Sequence, residues 1–279
     1  MRRLRGGTSA AVHLVRVRDR RGDTRSLVLR RFVRADWLTR EPDLAAREAR
    51  ALDLLASSDV AAPRLVAVDA TGAECHVPAV LMARLPGRVD VAPTDTRRYV
   101  RAIAEQLPAV HAIEVPEGVP PYYPYFEEET EEEARAFAWS RRPESWRAAL
   151  GLVSQDRPPF QPSFIHRDFH PGNVLWSRGR VSGVIDWVNA SVGPRDVDAS
   201  HCAVNIAELF GVRAATRFRE AYEAAAGVRQ EPFWDLVAAV DRGEPTADQW
   251  RDAGRTDLTD ALMLRRREAY LESVLRRLR

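Results

Sequence analysis

The segment Phe164-Ile165-His166-Arg167-Asp168-Phe169-His170-Pro171-Gly172-Asn173-Val174-Leu175 places a run of charged and polar residues between two apolar pairs. Apolar pairs of this kind are typical of short buried strands. Charged groups between buried strands are costly unless they are paired or used in chemistry. Further along, Val184-Ile185-Asp186-Trp187 sets another carboxylate at the end of an apolar strand. Together the two segments predict a functional loop and a nearby strand-end carboxylate.

The spacing of the polar residues in this loop is typical of phosphoryl transfer. In the pattern H-R-D-x-x-x-x-N the aspartate accepts the proton of the attacking hydroxyl group. Oxygen ligands are also needed to hold Mg²⁺ against the nucleotide phosphates. We therefore expect Asp168 to be the catalytic base and Asn173 and Asp186 to bind the metal. The cofactors that follow are ATP or GTP, and Mg²⁺.

Two other functions fit parts of the same pattern. His166, Asp168 and His170 alternate, so an extended segment would place them on one face, as in a metallohydrolase. No other histidine lies at ligand spacing nearby, and His201 would have to join from a later helix. A non-catalytic nucleotide- or metabolite-binding protein is the second alternative, but a degenerate site would be expected to lose one of the three key residues. We favour a phosphotransferase.

Composition limits the class of protein. The chain has 279 residues, 45% hydrophobic and 29% charged, which fits one large domain or two lobes. The 42 basic residues, all arginine, nearly balance 40 acidic ones, which does not indicate a nucleic-acid or membrane partner. With no apolar run of membrane-spanning length and only two cysteines, we expect a soluble cytoplasmic protein.

Apolar periodicity predicts a β-rich region followed by a helical one. Before Leu85-Pro86-Gly87 the pattern favours a strand meander with one helix, which opens at Glu41-Pro42-Asp43. After it, helices predominate, at 95–111, 131–139 and 143–152 and again in the tail 196–279, and they surround a β-hairpin. The strands are predicted at 11–17, 26–32, 65–68 and 77–82, and later at 163–166, 174–176 and 181–187. The expected fold is α+β, with a small β-rich N-lobe that has one helix and a larger helical C-lobe.

The chain also resembles the aminoglycoside phosphotransferase family, a set of small-molecule kinases that share the two-lobed protein-kinase fold. Trp187 after Asp186, where protein kinases carry Asp-Phe-Gly, points to this family in particular. The matching segments follow the family's order along the chain: Gly6-Gly7-Thr8-Ser9, Leu27-Val28-Leu29-Arg30, Arg47-Glu48, Leu81 to Gly87, His166 to Asn173, Ile185-Asp186-Trp187, and Gly193-Pro194 with Asp198.

The resemblance implies a nucleotide-binding N-lobe at residues 1–84. Gly7, Thr8 and Ser9 would bring backbone N–H groups close to phosphate. Arg30 takes the position of the strand lysine that contacts the α- and β-phosphates, with Glu48 as its helix partner, and arginine can fill that role because it is always charged.

The base of the nucleotide would be bound at the end of this lobe. The resemblance implies that Met82 backs the adenine pocket and that the backbones of Ala83 and Leu85 hydrogen-bond the base. Residues 85–279 would form the C-lobe, which holds the catalytic loop, the metal site and the substrate pocket. In it, His166 and Asp198 would support the catalytic loop, and Arg167 replaces a glycine that is common in the family.

The acceptor is expected to be a hydroxyl group of a small molecule. Only Trp187 to Val197 separates Asp186 from Asp198, and no Ala-Pro-Glu follows, so the platform that a protein kinase offers to a peptide is missing. Among small molecules we favour a cationic, amine-bearing sugar, since Glu127–Glu133 could attract it. An apolar macrolide and a primary metabolite remain alternatives.

Overall fold

The computed structural model describes residues 1–4, 10–18, 22–115, 117–124, 137, 139–241 and 243–278. The chain forms two compact units. The first comprises Met1–Val89 and Asn173–Ala190, and the second comprises Asp90–Gly172 and Ser191–Arg279. Residues 173–190, which lie beyond the predicted boundary at residue 84, are therefore part of the first unit.

The first unit is built on a five-stranded antiparallel sheet with the strand order β1-β2-β3-β5-β4. Four of these strands form from alternating or continuous apolar runs where they were predicted, to within a few residues, whereas β1 consists of two exposed arginines and no apolar run predicts it. Their bounds are β1 Arg2–Arg3, β2 Ala11–Arg18, β3 Thr24–Arg31, β4 Leu65–Asp69 and β5 Ala79–Ala83.

Two helices follow β3, where the sequence predicts one. The predicted helix is α2, Leu44–Leu55, which buries Leu44, Glu48, Leu52 and Leu55 along one face. A short helix, α1 at Ala35–Arg40, precedes it and buries no residue. Because a helix without a buried face has no apolar periodicity, the pattern could not predict α1.

A second, three-stranded sheet completes the first unit. It joins β6 (Arg88–Val89) to the hairpin of β8 (Val174–Ser177) and β9 (Arg180–Val184), in the order β6-β8-β9. Gly87 leads into β6 with φ at +101°, and a Cβ there would lie 2.5 Å from the carbonyl oxygen of Trp176. The Leu85-Pro86-Gly87 break is thus a close packing point that only glycine fits.

Helices dominate the second unit, as predicted. The predicted helix at 95–111 is split into α3 and α4, because Pro108 in the first turn of α4 has no N–H to continue the preceding helix. Part of another predicted helix, residues 131–136 and 138, lies outside the described residues. The helices are α3 Thr96–Ala104, α4 Leu107–His111, α5 Pro143–Val153, α6 Asp196–Phe210, α7 Val212–Ala226, α8 Pro232–Val240, α9 Asp248–Asp252 and α10 Asp260–Arg277.

A two-stranded antiparallel sheet lies in this unit. It pairs β7 (Pro162–Ile165) with β10 (Ser191–Pro194), so that Phe164 faces Val192. The sequence does not predict β10 because glycine and proline are rare inside strands.

The mixed α+β fold class is confirmed. In the part of the chain that the structure describes, no helix is both long enough and apolar enough to cross a bilayer.

Candidate active site

In the first unit, one buried arginine joins two carboxylates. Arg30 on β3 places Nη1 2.7 Å from Oε1 of Glu48 on α2 and 2.5 Å from Oδ1 of Asp186, just after β9. Burial opposes the charge on Arg30, but Asp186 and Glu48 outweigh it and hold the arginine pKa above its ordinary value. Burial raises the pKa of Glu48, an effect that the charge of Arg30 opposes. Three distant segments thus meet at one cation.

The two predicted metal ligands lie at the same end of the β8–β9 hairpin. Val174 pairs with Val184 in the ladder, and the next residue on each side is linked by a hydrogen bond from Ile185 N to Asn173 O of 2.9 Å. Asp186 follows with φ at +70°, a left-handed conformation that ends the strand and shortens it from the predicted 181–187. An amide and a carboxylate oxygen are donors that Mg²⁺ prefers, so this pair fits the metal that the family implies.

The residues predicted to bind the base differ in their contacts and in what they could offer a ligand. Met82 is buried in β5, paired with Val28 and Leu65. The backbone N–H of Ala83 donates to Arg64 O at 2.8 Å, so Ala83 could meet a base through its carbonyl group. Leu85 packs against Gly183, where an added Cβ would lie 2.4 Å from Leu85 Cδ1. Gly7, Thr8 and Ser9 lie outside the described residues.

In the second unit, Asp198 on α6 holds the backbone of the catalytic loop. Its fully buried carboxylate accepts hydrogen bonds from the backbone N–H groups of His166, at 2.8 Å, and Arg167, at 2.7 Å. His111 Nε2 lies 3.2 Å from Oδ2 of the same carboxylate, and Tyr222 Oη lies 3.2 Å from His111 Nδ1. A chain of polar groups therefore runs from the loop into the helical core.

Arg167, in the place of the family's glycine, has a left-handed backbone with φ at +67°. Its side chain is buried, and Nη2 donates to Tyr123 O at 2.9 Å. The guanidinium group lies over the ring of Tyr123, 4.4 Å from its centroid, and near that of Tyr122, at 5.6 Å. A glycine would adopt this φ without strain, and here aromatic contacts hold an arginine in it.

Asp168 lies between two histidines. His201 Nε2 is 3.2 Å and His170 Nε2 is 3.7 Å from Asp168 Oδ1, and a third of the Asp168 side chain is exposed. Burial acts to raise the pKa of Asp168, but His170, His201 and His166 together outweigh it and hold that pKa well below its ordinary value. Asp168 is therefore ionised at neutral pH, as a proton acceptor must be.

The donor geometry does not favour the metallohydrolase alternative. Within the described residues, which include His166, Asp168 and His170, no group of three histidine, cysteine, aspartate or glutamate side chains is placed to hold a metal ion. His166 instead packs its ring edge-on against Phe169, with centroids 5.9 Å apart.

Sequence reasoning missed His111 and Tyr222, and it considered His201 only as a possible metal ligand. His111 and Tyr222 contact each other from positions 111 residues apart, so no local pattern marks them. For His201 a signal was present. It follows Asp198 by three residues on α6, which places both on one face of the helix.

The family model described as "Phosphotransferase enzyme family" (APH) matches residues 1–238. No curated protein of similar sequence was found. Several solved structures are similar in fold. The macrolide 2'-phosphotransferase MphH from Brachybacterium faecium, an apoenzyme, is 21% identical with a TM-score of 0.58, over 86% of this chain and 80% of that one.

A thermostable mutant of aminoglycoside phosphotransferase APH(4)-Ia, in ternary complex with ADP and hygromycin B, is 18% identical with a TM-score of 0.64, over 97% of this chain and 92% of that one. Aminoglycoside-3'-phosphotransferase of type VIII is 20% identical with a TM-score of 0.57, over 83% of this chain and 89% of that one. At these identities the similarity shows the fold, and it confirms the predicted protein-kinase-like architecture.

Proposed function

The chain belongs to the phosphotransferase enzyme (APH) family, and from this premise we propose that it transfers the γ-phosphoryl group of ATP to a hydroxyl group of a small molecule, with Mg²⁺ as cofactor. GTP is the alternative donor.

The observation that carries the proposal is the contact of Arg30 with both Glu48 and Asp186. In kinases the corresponding cation contacts the α- and β-phosphates, and the helix glutamate holds it in place. Here the same arginine also touches the carboxylate proposed as a metal ligand, so the phosphate-binding cation and one metal ligand are fixed by a single contact. Asn173 and Asp186 would hold Mg²⁺, which neutralises phosphate charge when bound.

The proposed reaction uses the ionised carboxylate of Asp168. The acceptor oxygen forms a bond to the γ-phosphorus, and the bond from that phosphorus to the bridging oxygen of ADP breaks. The proton of the acceptor hydroxyl passes to Asp168. Asp198 supports this role because it fixes the backbone of the two residues before Asp168.

The connection after Asp186 supports a small-molecule acceptor. Residues 191–194 pair as β10 with β7, and α6 begins at Asp196, so six of the eleven residues between Asp186 and Asp198 are already in secondary structure. Little chain is left to present a peptide as a protein kinase does. We favour an amine-bearing sugar as the acceptor because the acidic run 127–133 could attract its positive charge. This run lies outside the described residues.

The test is phosphoryl transfer to a defined panel. The purified protein is incubated with Mg²⁺ and ATP or GTP, together with aminoglycosides, macrolides, sugars, amino alcohols and mixed peptides, and products are identified by mass spectrometry. We expect one phosphoryl group on a small molecule. Transfer to peptides alone would contradict the acceptor class, and nucleotide binding without transfer to any acceptor would favour the non-catalytic alternative.

Replacement of the proposed catalytic base, Asp168, tests its role directly. Asp168→Ala should lower turnover by about 10²–10⁴-fold while nucleotide binding stays nearly intact, because a general base acts on the transition state. Asp156→Ala, an exposed carboxylate of the same unit, is the matched control and should keep wild-type turnover. Near-normal turnover in Asp168→Ala would show that Asp168 is not the catalytic base.

A further inference from the structure

We propose that His201 is a positioning residue of the phosphoryl transfer, which holds the Asp168 carboxylate in its reactive orientation through Oδ1 with the help of His170. This inference rests on the proposed function. It concerns a residue of α6 that lies outside the motif and would not touch the substrate itself.

The place of His201 on α6 supports this role. Its neighbours Ser200 and Cys202 are fully buried, so the helix is firmly packed at this point. One turn earlier Asp198 fixes the loop backbone, while His201 Nε2 reaches the Asp168 side chain at 3.2 Å. The same helix face thus holds both the backbone and the carboxylate of the catalytic loop. Four-fifths of the His201 side chain is buried, which limits its own motion.

His170 is confined on the other side of the carboxylate. The N–H of Gly172 donates to His170 Nδ1 at 3.1 Å, so the neutral ring carries its proton on Nε2, which lies 3.7 Å from Asp168 Oδ1. A Cβ at Gly172 would lie 2.7 Å from His170 Cε1, so only glycine leaves room for the ring. The edge of Trp250 packs against the same ring, with centroids 5.7 Å apart.

Two imidazoles therefore approach the same carboxylate oxygen from two elements, the loop and α6. A carboxylate held in this way loses rotational freedom before the acceptor binds, so less ordering is needed in the transition state. The titratable groups that face Asp168 are His166 and His170 from the loop and His201 from α6, and all three favour its ionised form. Removing one of them should raise the pKa of Asp168.

The experiment compares His201→Ala and His201→Gln with wild type, with MgATP and both the best acceptor of the panel and water. We expect His201→Ala to lower kcat by about 10–100-fold with KM for ATP unchanged, because a displaced base slows the chemical step. The acid limb of its kcat–pH profile should move to higher pH, by about one unit. His201→Gln, whose amide nitrogen can take the place of Nε2 beside Oδ1, should recover part of kcat.

Three measurements distinguish a structural effect from a positioning effect. A carbon-13 NMR titration of the Asp168 carboxyl group should give a higher pKa in His201→Ala than in wild type. Calorimetric binding of MgATP and the circular dichroism spectrum should be the same in both. His76→Asn, at an exposed histidine of the first unit, is the matched control and should leave kcat and its pH profile at wild-type values.

The outcomes separate this inference from the proposed function. No transfer by wild type to any acceptor, water included, means that the proposed function fails. An active wild type with an unchanged kcat and pH profile in His201→Ala overturns the role of His201 alone. A loss of kcat that His201→Gln does not relieve, together with an unchanged carboxyl pKa, also overturns it, since the effect is then structural.

Discussion

Arg167 shows how side-chain contacts can hold an unfavourable backbone. A non-glycine residue in the left-handed region costs about 1–2 kcal/mol. The contacts with Tyr123 and Tyr122 act in the opposite direction. A desolvated cation–π contact contributes about 2 kcal/mol, and the hydrogen bond to Tyr123 O about 1 kcal/mol. The contacts outweigh the strain.

Two substitutions separate these effects. Arg167→Ala keeps the strain and loses the contacts, and should lower the free energy of unfolding by about 3 kcal/mol. Arg167→Gly loses the same contacts but relieves the backbone, and should cost only about 1–2 kcal/mol. Urea unfolding of the two variants and wild type measures the order. A glycine variant more stable than wild type by about 1–2 kcal/mol would show that these contacts contribute nothing, because only the backbone strain would then have been removed.

At the scale of single residues, the sequence predicts chemical roles better than it predicts long-range contacts. The spacing of Asp168, Asn173 and Asp186 was enough to propose their roles, because a reaction prescribes residue types at fixed places in a motif. The partner of Arg167 lies 44 residues away, and spacing carries no information about such a contact. Long-range contacts of this kind need the folded chain.

Among the elements, the connection after β4 depends on one carboxylate. Asp69 Oδ1 accepts hydrogen bonds from the N–H groups of Gly72 and Ala73, and Oδ2 accepts from Glu74 and Cys75, at 2.7–3.0 Å. Desolvation acts to raise the pKa of Asp69, but the four N–H groups lower it below the ordinary value. The ionised carboxylate therefore organises the whole turn into β5.

The pH dependence of stability tests this turn. Because the folded-state pKa of Asp69 is depressed, its contribution is fully present above the unfolded-state value of about 3.9 and is lost as the pH falls through the folded-state value. Asp69→Asn should therefore melt below wild type at pH 5–7, and the gap in Tm should narrow below about pH 4. Asp53→Asn, at an exposed position of α2, is the control. A gap that stays constant with pH would contradict the role of the charge.

Elements with a buried face were predictable, and elements without one were not. The apolar residues of α2 recur at helical spacing and bury one face, so the sequence identifies it. The structure differs at α1, which buries nothing, and at β10, which contains Gly193-Pro194 and forms by pairing with β7. In β10 the tertiary partner overrides local preference.

At the scale of the whole molecule, Asp186 belongs both to the proposed nucleotide and metal site and, through its contact with Arg30, to the buried structure of the first unit. Asp186→Ala should remove most Mg²⁺-dependent nucleotide binding, because phosphate charge is then uncompensated. Arg30 keeps Glu48 as its partner at 2.7 Å, so the unit should still fold. At a nucleotide concentration of about 100 Kd, binding stabilises wild type by about 2.7 kcal/mol. The variant should lose this stabilisation, and with it the rise in Tm that MgATP gives the wild type.

Thermal unfolding with ATP, with and without Mg²⁺, measures the difference. Asp59→Ala, at an exposed carboxylate of the same unit, should respond to MgATP as wild type does. Titration calorimetry on the same samples gives the Mg²⁺ requirement directly. An Asp186→Ala variant with an unchanged response to MgATP would show that the metal is held elsewhere.

The division of the chain into units has a consequence for its biosynthesis. The first unit needs Met1–Val89 and also Asn173–Ala190, so its second sheet cannot form until the ribosome has added about 100 further residues. At about 5–20 residues per second this is a delay of roughly 5–20 s. During that interval β6 lacks its partner strand β8, while the residues of α3, α4 and α5 emerge between the two halves. The edge of β6 is therefore unpaired while these residues are made, and slower translation before residue 190 would lengthen its exposure.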